Sequence, residues 1–227
     1  MQIIAQQLIR VRQSLRAAEK KYQRAENSVK LLAVSKTRSV AEILQAIEQG
    51  QYDFGENYLQ EAKSKLSTLQ DESICWHFIG PLQSNKARIV AENFGWIHSV
   101  DRNKIAQRLS DLRPLHLPAL NVCIQLNISE EATKSGTSTD ELITLAKKIS
   151  SLPRIKLRGL MALPAPTNDF SEQREGFRHL RKIYNELQNA GFDIDTLSMG
   201  TTNDMEAAVA EGSTIVRIGT ALFGPRL

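Results

Sequence analysis

The sequence predicts an α/β protein, a single (β/α)8 TIM-type barrel with an additional N-terminal helix. Three observations carry this. Short apolar runs alternate with amphipathic stretches along all 227 residues. The alternation yields eight strand–helix pairs, the number a barrel needs. No Pro/Gly/Ser-rich linker interrupts it (Pro164-Ala165-Pro166 is only a short loop), so residues 1–227 are read as one domain. A doubly wound sheet would be expected to carry a Gly-rich turn after its first strand, and here that turn reads Ser35-Lys36-Thr37-Arg38.

The opening helix is marked by Ile4, Leu8, Val11, Leu15, Ala18 and Tyr22, whose alternating steps of four and three form one apolar stripe. Leu31-Leu32-Ala33-Val34 is apolar on both faces, as a buried parallel strand requires. The next helix starts at Ser39 with Glu42 three residues on, a pair that satisfies two orphan N–H groups reciprocally, and stops at Gly50. Further strands are expected at 52–55, 74–79, 96–100, 120–128, 156–163, 196–199 and 214–219. Helices are expected at 56–69, 82–92, 102–112, 139–151, 170–190 and 204–211. Asp101, Ser138 with Glu141, and Asn203 with Glu206 supply starting signals for three of them.

Composition narrows the function classes. With 41% hydrophobic and 24% charged residues, the chain is neither disordered nor fibrous. The net charge of +4 is unevenly placed: Arg10, Arg12, Arg16, Lys20, Lys21 and Arg24 stand against Glu19 alone in that stretch. No RNP-type aromatic motif, GXXG loop or zinc finger accompanies them. The basic run is read as a solvated helix face, with a polyanion contact as the alternative, and nucleic acid is not an expected partner. Cys75 and Cys123 are 48 positions apart, with no C-x-x-C pair and no metal-ligand spacing, so no metal is expected. Two isolated cysteines on apolar stretches, an N-terminus without an apolar signal core and no span of ~18 apolar residues point to a cytoplasmic protein without membrane contact.

In a barrel, function sits at the C-terminal strand ends. Alternation along the first strand puts Leu32, Val34 and Lys36 on one face. If the first two fill the barrel, Lys36 points into its mouth, where partial desolvation favours a neutral, nucleophilic amine able to form a Schiff base. The alternative is a lysine snorkelling to water. The seventh strand ends in Ser198-Met199-Gly200 and the eighth in Arg217-Ile218-Gly219-Thr220. Small residues and hydroxyls there suit a phosphate cradle, although Gly200 and Gly219 also fit plain turns. A Schiff-base lysine beside a phosphate site describes pyridoxal 5'-phosphate (PLP). Arg217 shares a face with Ile215. A buried arginine needs a partner, either the cofactor's pyridine nitrogen, which it would keep unprotonated, or a barrel carboxylate such as Glu56.

The segments LLAVSKTR (31–38), FGENYLQE (54–61), HFIGPLQSNK (77–86), NISEEATKSG (127–136), RGLMALP (158–164), LSMG (197–200) and DMEAAVAEGSTIVRIGTALFG (204–224) together resemble the pyridoxal phosphate homeostasis protein family, single-domain relatives of the alanine racemase N-terminal barrel. The resemblance extends across nearly the whole chain. It implies that Lys36 is the Schiff-base lysine, that Asn57 lines the cofactor and that Met161 stands where the racemases place a stacking side chain. It further implies that Ser198, Gly200, Gly219 and Thr220 form the phosphate cradle and that Arg217 meets the pyridine nitrogen. Lys134 lies beside the site in the pattern. Thr201-Thr202 departs from the commoner Met-Ser.

The resemblance also implies storage, carriage or supply of PLP rather than turnover. In the racemases the second base is a tyrosine from another domain, and this sequence ends at Leu227, shortly after the last strand; Tyr22, Tyr52, Tyr58 and Tyr184 all fall within barrel elements. No catalytic residue is therefore assigned. A monomer is expected, with PLP-dependent apo-enzymes as transient partners. A PLP-dependent racemase or decarboxylase is the alternative; a class I aldolase-like barrel and a nucleic-acid module are further rivals. His77, on a face with Cys75 and Ile79, is read as a core histidine. His98, His116 and His179 are expected to be structural or exposed, and Trp76 and Phe78 to be core.

Overall fold

The computed structural model describes residues 2–128 and 136–225. Among them, eight parallel strands close into a barrel in chain order: β1 Lys30–Val34, β2 Asp53–Glu56, β3 Cys75–Phe78, β4 Trp96–Val100, β5 Leu120–Leu126, β6 Ile155–Ala162, β7 Thr196–Ser198 and β8 Ile215–Ile218. The barrel shuts where β8 pairs with β1 through Leu32↔Arg217 and its neighbours. Helix α1 (Gln2–Lys21) precedes the barrel. Helices α2 (Val40–Ile47), α3 (Leu59–Thr68), α4 (Ala87–Asn93), α5 (Asn103–Leu112), α6 (Thr139–Ser150), α7 (Phe170–Asn189), α8 (Met205–Ala210) and α9 (Thr220–Phe223) follow β1 to β8 in turn. This is the expected (β/α)8 barrel with its extra N-terminal helix.

Strand alternation sorts the side chains into two cores. Leu31, Ala33, Phe54, Trp76, Phe78, Ile97, Val216 and Ile218 point outward into the layer beneath the helices. Leu32, Trp96, Cys123, Met161 and Ile215 fill the smaller barrel interior, with Cys75 and Ile79 packed against them. The stripe of α1 buries Ile4, Leu8, Val11, Leu15 and Ala18 in the outer layer. Full burial of a leucine such as Leu8 stabilises by roughly 1.5–3 kcal/mol.

The basic run on α1 proves to be a docking device. Arg12 donates to the carbonyls of Gln49 (2.7 Å) and Gly50 (3.0 Å), and Arg24 donates to those of Val209 and Ser213. Lys21 pairs with Glu206 at 2.7 Å and Arg16 with Glu19. Four of the six cations thus have protein partners, where a solvated helix face was expected.

Several boundaries move for local reasons. Glu56 was expected to open a helix at 56–69 but ends β2, paired in register with Phe78, and α3 begins only at Leu59. The stretch 82–92 first makes a 3-10 turn, Ser84–Lys86, before α4. The Ser39 capping box and the Ser138 cap form as expected. Asp101 does not cap α5; its carboxylate pairs with Arg102, which takes the cap position without a side-chain bond. Nor does Asn203 cap α8, whose cap position falls to Asp204; the Asp204 carboxylate instead accepts from the Thr201 N–H and hydroxyl.

Candidate functional site

A cavity of about 320 Å³ opens at the C-terminal mouth of the barrel, lined by Lys36, Arg38, Asn57, Met161, Thr201, Thr202, Asn203, Arg217, Gly219 and Thr220, with Val34, Ile79 and Leu163 as its apolar wall. Six of the eight residues singled out from the sequence therefore meet at one place: Lys36, Asn57, Met161, Arg217, Gly219 and Thr220.

Lys36 sits one residue beyond Ser35, where β1 leaves the barrel. The turn is tightly fixed. Thr37 has a positive φ of 63°, which is costly for a β-branched residue. Its N–H donates to the Glu61 carboxylate, and Arg38 N donates to Ser35 O at 3.0 Å. Beneath the turn lies the buried Lys65, whose ammonium donates to Ser35 O (2.7 Å), Glu56 Oε1 (2.8 Å) and Glu61 Oε1 (2.6 Å). Ser35 Oγ donates to the same Glu56 oxygen at 2.6 Å. Burial raises the Glu56 carboxyl above its usual range, and the Lys65 contact opposes that rise.

Arg217 is almost wholly enclosed, and burial lowers its guanidinium to about 10, so it remains a cation near neutrality. Nη1 donates to Ser198 Oγ at 2.7 Å and Nη2 to Ala162 O at 3.0 Å. Those bonds use two of its five N–H donors; the rest have no acceptor among the described residues. The alternative partner, Glu56, is ruled out by strand alternation. Glu56 follows Phe54 on the outward face of β2 and meets Lys65, whereas Arg217 points inward with Ile215.

Ser198 and Gly200 lie beneath the cavity wall rather than in it. Ser198 is fully buried, its hydroxyl placed between Arg217 Nη1 and His98 Nδ1, each at 2.7 Å. Gly200 has a φ of 95°, and a Cβ on it would approach Ala208 Cβ at 2.5 Å, so this close loop packing requires glycine. The cavity wall near it is supplied by Thr201, Thr202 and Asn203. Their run of hydroxyls and an amide straight after the seventh strand was the available signal for them. The backbone N–H groups of Thr202, Asn203, Gly219 and Thr220 have no acceptor among the described residues. A Cβ on Gly219 would stand 3.4 Å from Val34 O. Together these groups make a polar rim able to bind an anion. On the opposite side Asn57 contributes a buried Oδ1 with no hydrogen-bond partner among the described residues. Lys134 lies outside the described residues.

His98 was the least expected member. It is fully buried beside His77 inside the barrel, whereas His116 and His179 are exposed. On the barrel floor Asp53, Cys75 and His77 bring ligand-type atoms within 4.8 Å of one another. Asp53 Oδ1 already accepts from Lys30 (2.9 Å) and contacts His77 Nε2 (3.0 Å), so the carboxylate is held by an ion pair on one side and an imidazole on the other. Burial raises the Cys75 thiol to about 11 and Cys123 to about 12, which keeps both as inert hydrophobes.

The alanine racemase N-terminal domain family matches residues 8–226. A pyridoxal phosphate homeostasis protein of Pseudomonas aeruginosa is 52% identical over 226 residues, covering 100% of this chain and 97% of that protein. Its Escherichia coli counterpart is 50% identical over 229 residues, covering 100% and 98%. Among solved structures, PipY of Synechococcus elongatus with PLP bound superposes with a TM-score of 0.85 at 36% identity, covering 97% of this chain and 100% of that one. Alanine racemase from Corynebacterium glutamicum, at 15% identity and a TM-score of 0.72, covers 99% of this chain and 60% of its own, and shares the fold.

Proposed function

The chain belongs to the pyridoxal phosphate homeostasis protein family, within the wider alanine racemase N-terminal domain family, and from that premise we propose that it binds PLP at the barrel mouth and stores or hands on the cofactor without dedicated turnover. The observation that carries the reading is the pairing, across one small cavity, of the Lys36 amine with the buried Arg217 guanidinium and a rim of unpaired N–H groups. The cavity lies at the small end of the roughly 300–1,000 Å³ usual for small-molecule sites.

The residues present suit the group. The N–H groups of Thr202, Asn203, Gly219 and Thr220, with the adjacent hydroxyls, would hold the phosphate. The unused donors of Arg217 would meet the pyridine nitrogen, and because arginine does not give up its proton, that nitrogen would stay an acceptor. Met161 and Ile79 offer apolar contact to the ring, and the partnerless Asn57 Oδ1 offers it an acceptor. Bound PLP supplies an aldehyde for a lysine amine and a ring that can draw electrons from an attached amine. Lys36 would hold the cofactor covalently, Gly200 shapes the loop beside it, and Ser198 would act through Arg217.

Two features favour carriage over turnover. The closely similar relatives bear the name of homeostasis proteins. Among the described residues lining the cavity, the titratable side chains are Lys36, Arg38 and Arg217, with no carboxylate, imidazole or phenol to serve as a second base. A base is worth typically ~10²–10⁴ in rate. Residues 1–227 would act as one PLP-binding domain, as a monomer, with apo-enzymes as transient partners. Among the described residues no helix is long and apolar enough to cross a membrane. The free thiols Cys75 and Cys123 accord with a cytoplasmic setting.

The test mixes PLP-loaded protein with an apo-enzyme that requires PLP. Recovery of activity faster than with a borohydride-reduced control supports the proposal. Sustained racemase or decarboxylase turnover near ~1–10 s⁻¹, ordinary for a dedicated enzyme, overturns it.

A further inference from the structure

We propose that Arg217 is held at the cavity by a one-directional hydrogen-bond chain that crosses the barrel interior and ends on Asp53. Ser198 and His98 are then positioning residues for the guanidinium, and Asp53 sets the direction of the chain. What the arginine meets rests on the PLP reading; the chain itself rests on geometry.

The contacts run unbroken from mouth to floor. Arg217 Nη1 donates to Ser198 Oγ at 2.7 Å. Ser198 Oγ lies 2.7 Å from His98 Nδ1, His98 Nε2 lies 2.9 Å from His77 Nδ1, and His77 Nε2 lies 3.0 Å from Asp53 Oδ1. Lys30 closes the far end, donating to the same Asp53 oxygen at 2.9 Å.

Donor counting fixes every proton. An ionised carboxylate only accepts, and arginine and lysine only donate. His77 Nε2 must therefore carry the hydrogen it gives to Asp53, and in a neutral ring its Nδ1 is then an acceptor. His98 Nε2 must supply that hydrogen, which leaves His98 Nδ1 to accept from the Ser198 hydroxyl. The hydroxyl has one hydrogen, so its oxygen is free to accept from Arg217. Each neutral member makes one bond as donor and one as acceptor. Protonating either imidazole would set two N–H groups, or an N–H and an O–H with no other acceptor, against each other.

Burial supports the neutral forms. Both rings are fully enclosed, and desolvation lowers both, His98 well below the usual imidazole value. The charged or titratable groups facing them are Asp53, Lys30 and Cys75 at the floor and Arg217 at the mouth, and Trp96 stacks on His77 at 5.4 Å. Asp53 pulls towards a charged His77; desolvation is the larger influence. A buried polar chain is stabilising when every member is satisfied, as here.

The consequence is a fixed cation. Arg217 has two anchored N–H groups, one on Ser198 and one on Ala162 O, and no carboxylate in hydrogen-bond contact among the described residues. Its orientation is set without neutralising its charge, and the chain behind it has no proton to deliver.

The test begins with the unloaded protein carrying ¹⁵N-labelled histidine. Nitrogen–proton couplings should show two neutral Nε2–H rings that stay unprotonated as pH falls below the ordinary imidazole value of 6.5. A cationic ring at neutral pH, or an Nδ1–H form of either, overturns the chain. Asp53→Ala should drive His77 and His98 out of the pure Nε2–H state; rings left unchanged would remove Asp53 from its role. In the PLP-loaded protein, Ser198→Ala should shift the visible band and weaken PLP binding about tenfold or more, the usual consequence of losing a hydrogen bond to a charged group. Ser198→Thr should restore the band. A Ser198→Ala band and affinity matching the parent refute the positioning role. A parent protein that takes up no PLP while its rings stay in the expected state would sink the PLP reading and leave the chain standing.

Discussion

Stability should begin to fall with pH before the carboxylates held low in the fold begin to protonate. His77 and His98 are buried and hydrogen-bonded on both ring nitrogens, and desolvation, the largest cause, lowers both below the ordinary imidazole value of 6.5. Above pH 6.5 neither the folded nor the unfolded chain protonates them, and their contribution to stability is intact. Between 6.5 and the depressed folded values, the unfolded chain takes up protons that the folded chain refuses, so stability is lost as pH falls. Each proton the fold refuses costs up to about 1.4 kcal/mol per pH unit in that window, against the ~5–15 kcal/mol of a typical domain. Carboxylates held low in the fold, Asp53, Glu42 and Asp195 among them, lose their contribution only below their ordinary values of 3.8 to 4.5, outside this window. Urea midpoints measured at close pH intervals from 7.5 to 5.5 read the slope directly, and His77→Gln or His98→Gln should each reduce it. A flat profile from 6.5 to 5.5, or a single variant keeping the full slope, would refute the reasoning.

Three further outcomes follow from the site's scaffolding. Lys65→Met leaves the Glu56 carboxylate buried without its ammonium partner and should lower unfolding stability by about 3–5 kcal/mol in denaturant titrations. Gly200→Ala forces a side chain onto a φ of 95° and into Ala208; it should lower stability by about 2 kcal/mol or more and weaken PLP uptake, read by fluorescence titration. Arg217→Glu should move the visible spectrum of the PLP-loaded protein towards that of a protonated ring, and an unchanged spectrum would remove Arg217 from the ring nitrogen.

The barrel was legible because its signals are local and periodic. Apolar runs of strand length, capped helices and the absence of a Gly-rich first turn each exclude alternatives on their own. The inward faces could be read by the same alternation: Leu32, Val34 and Lys36 on one strand, Ile215 and Arg217 on another. What escaped was what depends on pairing between strands. His77 and His98 occupy neighbouring strands, and their ring contact at 2.9 Å comes from the curvature of a closed sheet. Ser198 read as a phosphate ligand because serine beside glycine suits that task; its hydroxyl bonds with Arg217 and His98 could not be read from one strand alone. Glu56 read as a partner for Arg217 because the end of β2 was set one residue early, at Gly55 rather than Glu56. Applying the same alternation to Phe54 and Glu56 would have placed both on the outer face.

The central claim, a cofactor held covalently at Lys36, is tested most directly by reduction and peptide mapping. Purified protein loaded with PLP is treated with borohydride and digested, and the peptides are weighed. The account predicts loss of the visible band and one added pyridoxyl phosphate mass on the peptide containing Lys36, absent from Lys36→Ala. A label found mainly on another lysine, such as Lys134 or Lys65, or a Lys36→Ala protein that still takes the label, would contradict it.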